Sequence, residues 1–120
     1  MSVLGGHQGT AASEVTLACP HTVSSVVAQE MCAAVADALA ERHLVTVAMR
    51  DAPTADIRLS IVSEQATAIS ARLDWELPGG ASSGPVVQTT VVDRADIPPD
   101  ALRDFARTLI RLSDLPLPRR

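Results

Sequence analysis

The sequence predicts an α+β fold: a two-layer sandwich in which two helices cover one face of a mixed, mostly antiparallel five-stranded sheet. Two patterns lead to this prediction. Two segments carry apolar residues at helical spacing, and five segments alternate apolar and polar residues, which is typical of strands with one exposed face. The order of these segments along the chain is β-α-β-β-β-β-α.

The first strand is predicted at residues 14–19, where valine and leucine alternate with smaller or polar residues, and Pro20 ends it. The first helix follows and runs to about residue 42. Thr22 has the side chain expected of its N-cap. Apolar residues then recur three and four positions apart, at Val23, Val27, Met31, Ala34, Val35, Ala38 and Leu39.

Four more strands and a second helix complete the order. The strands are predicted at residues 44–49, 57–61, 69–77 and 86–92. Residues 78–84 are rich in glycine and serine, so we expect a flexible hairpin loop before the last strand. The second helix begins near consecutive prolines, which suit a first helical turn, and its apolar stripe comprises Leu102, Phe105, Ala106, Leu109 and Leu112.

The chain is predicted to form one domain over residues 14–115, between a flexible N-terminal tail at 1–13 and a C-terminal tail at 116–120. A chain of 120 residues with 47% hydrophobic composition is long enough for one core. That core should be mainly aliphatic, because Trp75 and Phe105 are the only aromatic residues. Trp75 lies in phase with the apolar residues of its strand and is expected to be buried.

Charge and composition exclude several classes of function. The net charge of −4 argues against binding to nucleic acid or to an anionic membrane surface, because both need a basic face. Every basic residue is arginine, which excludes lysine-based catalysis. No segment reaches the ~20 apolar residues of a membrane span, and no signal peptide is recognisable. The sequence as written predicts a cytoplasmic protein, or a periplasmic one if a leader has been removed.

Cys19 and Cys32 are predicted to be free thiols. If the helix begins near Thr22, Cys32 lies roughly 15 Å along it, whereas a disulfide needs Cα atoms within about 7 Å. A cysteine at a helix start is close to the positive end of the helix dipole, which activates a thiol. The segment from Cys19 through Pro20 and His21 is similar to the Cys-Pro-His-Cys motif of thioredoxin-fold disulfide oxidases. Thr22 replaces the second cysteine, so Cys19 with His21 is a candidate for single-thiol chemistry only.

Other polar residues are weaker candidates for chemistry. A zinc site built on Cys19 and His21 would need further ligands at a recognisable spacing, so no metal and no cofactor is predicted. Asp74 and Glu76 point the same way from one strand, about 7 Å apart, and are interpreted as surface charges instead of a catalytic pair. His43 ends the first helix, where a cation interacts favourably with the dipole.

Arg103, Arg107 and Arg111 form a basic stripe on the second helix, since they are spaced four residues apart. These arginines are the candidate partner-binding residues, because guanidinium groups bind carboxylates of an acidic protein through paired hydrogen bonds. The alternative is a solvated helix face whose charge is balanced by Asp100 and Asp104.

Four short segments carry a resemblance to a known family: VTV at 45–47, ADIRL at 55–59, ARLD at 71–74 and ALRDFA at 101–106. With the element order, they resemble the N-terminal domain of the TolB family of periplasmic translocation proteins and related envelope lipoprotein modules. The resemblance covers about residues 15–113. It implies two helices on a mixed sheet and a non-enzymatic module that binds other envelope proteins, and it transfers no functional residue.

These observations favour a non-catalytic protein-binding or assembly module, which the resemblance would place in the bacterial cell envelope. Its exposed sheet face or an exposed strand edge would meet a protein partner or a second copy of the chain. Two alternatives stay open. One is a small thiol-dependent redox protein that uses Cys19, and the other is an acidic, secretion-chaperone-like protein that recognises an extended client.

Overall fold

The computed structural model describes residues 13–19, 26–50 and 54–120. The predicted α+β architecture is confirmed, because two helices lie on a mixed sheet. The strands are β1 (Ser13–Ala18), β2 (Val45–Met49), β3 (Ile57–Gln65), β4 (Ala68–Leu77), β5 (Gly80–Ser83) and β6 (Val87–Thr90). The helices are α1 (Val26–Arg42) and α2 (Pro99–Ser113). Of the tail predicted at 1–13, residues 1–12 lie outside the described residues, as do the Thr22 cap and His21, whereas Ser13 begins β1.

The sheet has the strand order β2-β1-β3-β4-β5, and β6 also pairs with β4. β1 runs parallel to β2 and β3, whereas β4 runs antiparallel to β3, β5 and β6. The described strands number six instead of the predicted five, because β5 forms inside the segment at 78–84 that was expected to be a loop. β5 pairs with one half of β4 and β6 with the other half, so the long edge of β4 orders both segments.

The core lies between the sheet and the two helices. Alternate residues of β4 are buried and include Trp75, which is 7% exposed, so its predicted core position is confirmed. Burying a leucine or isoleucine side chain such as those of β4 contributes about 1.5–3 kcal/mol relative to leaving it in water. The completely or almost completely buried side chains come from both layers and include Leu17, Met31, Leu39, Ile57, Leu73, Leu109 and Ile110.

The two helices lie side by side and run in the same direction. Glu30 near the start of α1 and Pro99 at the start of α2 line one end of the crevice between them. Arg42 and Arg111, in the last turns of α1 and α2, line the other end. The partial negative charges of both helix C-termini therefore lie together, and cations stabilise them there. Among the described helices, none is long and apolar enough to cross a membrane.

The C-terminal residues fold back onto the end of α1. Leu115 is buried, the Leu44 N–H donates to the Pro118 carbonyl at 2.9 Å, and the Arg120 N–H donates to the Arg42 carbonyl at 3.0 Å. The second of these bonds satisfies a carbonyl group that the end of α1 would otherwise leave without an intrahelical partner. The segment therefore closes the end of the molecule at which both helices terminate.

Candidate functional site

Cys19 and Cys32 form a disulfide, with Cα atoms 5.9 Å apart, so the prediction of two free thiols is wrong. The prediction assumed that α1 begins near Thr22. Cys32 lies in α1 beside the end of β1, and Thr22 lies outside the described residues. Cys19 has no free sulfur for the predicted single-thiol chemistry, and its candidate partner His21 lies outside the described residues.

Asp74 and Glu76 lie on the sheet face that the helices leave uncovered. Asp74 accepts a hydrogen bond from the Ser83 hydroxyl at 2.5 Å and forms an ion pair with Arg72 at 3.5 Å. Glu76 forms an ion pair with Arg58 at 3.7 Å. Both carboxylates thus have cationic partners on an open surface, which favours their interpretation as surface charges. Within the described ranges, no group of three or more potential ligand residues could hold a metal ion.

The sequence predicts that His43 acts as a cation at the helix end, but its side chain is buried under the C-terminal segment. It is 1% exposed, with Nδ1 3.3 Å from the Pro118 carbonyl oxygen, and Nε2 has no hydrogen-bond partner among the described residues. Burial lowers the pKa of His43 below its usual 6.5, because the imidazolium form would lose its hydration, while the Pro118 and Leu117 carbonyls oppose this shift. The neutral form is therefore favoured.

The predicted basic stripe lies on the exposed side of α2, and most of it is paired within the chain. Arg103 pairs with Asp100, and Arg107 pairs with Asp104 at 3.3 Å. Arg107 also pairs with Glu41 of α1 at 3.0 Å across the helix crevice. This hydrogen-bonded pair lowers the pKa of Glu41 and raises that of Arg107. The pairing within α2 was anticipated, but the pairing with α1 was not.

Arg111 differs from its neighbours in the stripe. In the described part of the chain, neither Arg111 nor Arg42 forms an ion pair. Both line a groove of about 290 Å³ at the C-terminal end of the helix crevice, together with Arg107 and Glu41. The groove therefore has three guanidinium groups and one carboxylate among its lining residues.

β2 forms one edge of the sheet and presents half of its backbone groups outward. It pairs with β1 on one side, and no other described strand lies beside it. The Arg50 N–H donates to the Leu17 carbonyl at 3.0 Å, and Leu17 lies in register with Met49. Because backbone groups alternate in direction along a strand, the N–H and C=O of Met49, Val47 and Val45 point away from β1. No described strand pairs with these groups.

This edge lacks the features that commonly block strand pairing. Natural edge strands are protected by lysine or other charges, proline, or a bulge. β2 has the sequence VTVAM and pairs with β1 in continuous register, so it has none of these. Leu44, which precedes β2, is 39% exposed and Met49, which ends it, is 57% exposed. The sequence predicted the strand, but its edge position depends on the strand order.

In comparisons with known proteins, no protein family, no curated protein and no solved structure matches this chain.

Proposed function

We propose that this chain is a non-catalytic protein-binding module that takes up a strand of its partner at the outer edge of β2. The observation that carries the proposal is an uncharged edge of five residues whose outward N–H and C=O groups face no described strand. An added strand would satisfy those groups and extend the sheet. In this mode of recognition, main-chain hydrogen bonds supply the affinity and neighbouring side chains supply the specificity.

The disulfide supports a location in an oxidising compartment. Disulfides persist in secreted and periplasmic proteins, whereas thiols stay reduced in most cytosolic ones. The Cys19–Cys32 bond joins the end of β1 to α1 and is part of the folded core region. An envelope location is also what the resemblance to TolB-type modules implies, and the two arguments are independent.

The structure bears differently on the two alternative functions. A single-thiol redox protein needs a thiolate, and Cys19 is engaged in a disulfide. A secretion-chaperone-like protein needs a surface for an extended client, and the β2 edge would serve as one. A chaperone and an assembly module would both use this edge, so the identity of the captured protein distinguishes the two functions.

A pull-down with edge variants tests the proposed function. Thr46 and Met49 are exposed on β2, and the double variant T46K/M49K introduces the charged side chains that block natural edges. We expect the wild-type chain to recover a protein from an extract of its own organism that the double variant does not recover. The matched control is T90K on β6, which adds a lysine to an exposed strand position elsewhere in the sheet. Equal recovery by all three baits would contradict the proposal.

We propose a second contact surface at the groove lined by Arg42 and Arg111, whose guanidinium groups form no ion pair with the described residues and suit acidic side chains of a partner. Charge reversal by R111E should weaken capture of that partner, with the larger loss at low salt, because salt screens exposed charges. R94E makes the same change in net charge at an exposed position outside the groove and should leave capture unchanged. Equal capture by both variants at every salt concentration would exclude this surface.

A further inference from the structure

We infer that the partner at the β2 edge is a second copy of this chain, paired antiparallel about a two-fold axis through Val47. This inference rests on the proposed function and names the partner of the same edge. Two-fold symmetry is the commonest arrangement of protein dimers, and it requires a surface that is complementary to itself. The β2 edge meets that requirement in its backbone, its charge and its exposed apolar side chains.

The backbone groups of β2 match those of a second β2 in this arrangement. Val45, Val47 and Met49 direct their N–H and C=O groups outward. With the axis at Val47, this residue would exchange both hydrogen bonds with Val47 of the second copy, as residues do in a hydrogen-bonded antiparallel pair. Val45 of each copy would do the same with Met49 of the other. Every outward group of the strand would then have a partner, and the two sheets would become continuous.

The absence of charge makes self-pairing possible. In a two-fold strand pair each side chain lies opposite one from the same sequence, and like charges placed opposite each other are destabilising. Residues 44–49 contain no ionisable side chain. Arg50 would lie opposite Leu44, so no two like charges meet along the paired strands. A strand that binds only a charged foreign segment would gain specificity from a complementary charge, and β2 carries none.

The exposed apolar side chains lie where self-pairing would cover them. Met49 and Leu44 stand at opposite ends of β2, 57% and 39% exposed. Antiparallel pairing brings Met49 of one copy beside Val45 of the other on one face of the sheet, and Leu44 beside Arg50 on the opposite face, because side chains alternate along a strand. Pairing would remove part of the exposed apolar surface of Met49 from water, which favours association.

Sedimentation velocity and light scattering over a range of protein concentrations test this inference. We expect the full chain to have twice its monomer mass of 12.6 kDa, and T46K/M49K to stay monomeric at every concentration. T90K should remain dimeric. Amide hydrogen exchange adds a residue-level readout: exchange at Val45, Val47 and Met49 should slow as the protein is concentrated, while the β6 amides stay unchanged.

The outcomes separate this inference from the proposed function. A wild-type chain that is monomeric at the highest concentration excludes the second copy as partner. If T46K/M49K still abolishes capture of another protein, the proposed function stands with a foreign strand at the edge. If T90K dissociates the dimer and T46K/M49K does not, the two copies pair at another surface, and the inference is overturned. If the edge variant changes neither mass nor capture, both proposals fail.

Discussion

Where β1 meets the start of β3, the side chains of Thr16 and Asp56 each accept a hydrogen bond from the backbone N–H of the other residue. The Thr16 N–H donates to Oδ2 of Asp56 at 2.9 Å, and the Asp56 N–H donates to Oγ1 of Thr16 at 2.8 Å. The Asp56 carbonyl then accepts the N–H of Glu76 from β4 at 2.9 Å. Side chains of this kind replace missing ladder bonds. β3 begins only beside the end of β1, so β1 lacks ladder hydrogen bonds with a described strand on that side before Leu17. The hydrogen bonds between Thr16 and Asp56 take their place.

The stability of the protein should depend on pH through His43. Its pKa is lowered from 6.5, chiefly by burial, so the folded chain binds this proton less readily than the unfolded chain. The contribution to the free energy of unfolding is therefore complete above pH 6.5 and is lost as the pH falls through the lowered pKa of the folded state. Urea denaturation at a series of pH values measures this loss, and NMR titration of the imidazole measures the pKa directly.

The variant H43Q provides the control, because glutamine does not titrate and can still donate a hydrogen bond to the Pro118 carbonyl. We expect H43Q to have a flatter stability profile just below pH 6.5 than the wild type. A wild-type imidazole that titrates at or above 6.5, or identical profiles for both proteins, would show that burial does not control this group.

At the scale of elements, β4 and α2 were predictable because their local signals agree with their tertiary environment. The alternation over residues 69–77 matches β4 at Ala68–Leu77, and consecutive prolines mark the start of α2 at Pro99. α2 then ends at Ser113, and the next residue, Asp114, has the left-handed backbone conformation of a helix C-cap. Each of these features depends on residues that are neighbours in the sequence.

The errors arose where distant contacts decide the structure. Cys19 and Cys32 were predicted to be free because a helix start near Thr22, which lies outside the described residues, would put them too far apart, whereas they are joined in a disulfide. β5 has the composition of a loop, and becomes a strand because it pairs with the edge of β4. The same limit applies to the candidate site. Alternation predicts that residues 45–49 form a strand, but only the strand order shows that one side of it faces no described strand.

At the scale of the whole molecule, charges and hydrogen bonds divide the surface into regions with different capacities for binding. The uncovered sheet face is occupied by internal ion pairs such as Arg72 with Asp74. The helix crevice is bridged by Arg107 and Glu41. The β2 edge and the groove at Arg42 and Arg111 retain groups without partners in the described residues. The proposals concern these two regions because binding there breaks no interaction that the fold already makes.

The disulfide connects the two layers of the molecule, since Cys19 follows β1 in the sheet and Cys32 belongs to α1. Its cysteines are 13 residues apart in sequence. In the chain-entropy model, closing a loop of about 15 residues stabilises the folded state by about 3 kcal/mol. We therefore expect the variant C19S/C32S to lose about 2–4 kcal/mol in free energy of unfolding, measured by urea denaturation without reductant.

Reductant provides the matched comparison for this variant. It should lower the stability of the wild type to that of C19S/C32S and leave the variant unchanged, because only the wild type has a bond to reduce. Thiol titration of the unreduced protein should find no free cysteine until reductant is added. A wild type that is equally stable with and without reductant would mean that the layers hold together without this bond. Free thiols found in the unreduced protein would instead show that the bond does not form, and would remove the support for an oxidising compartment.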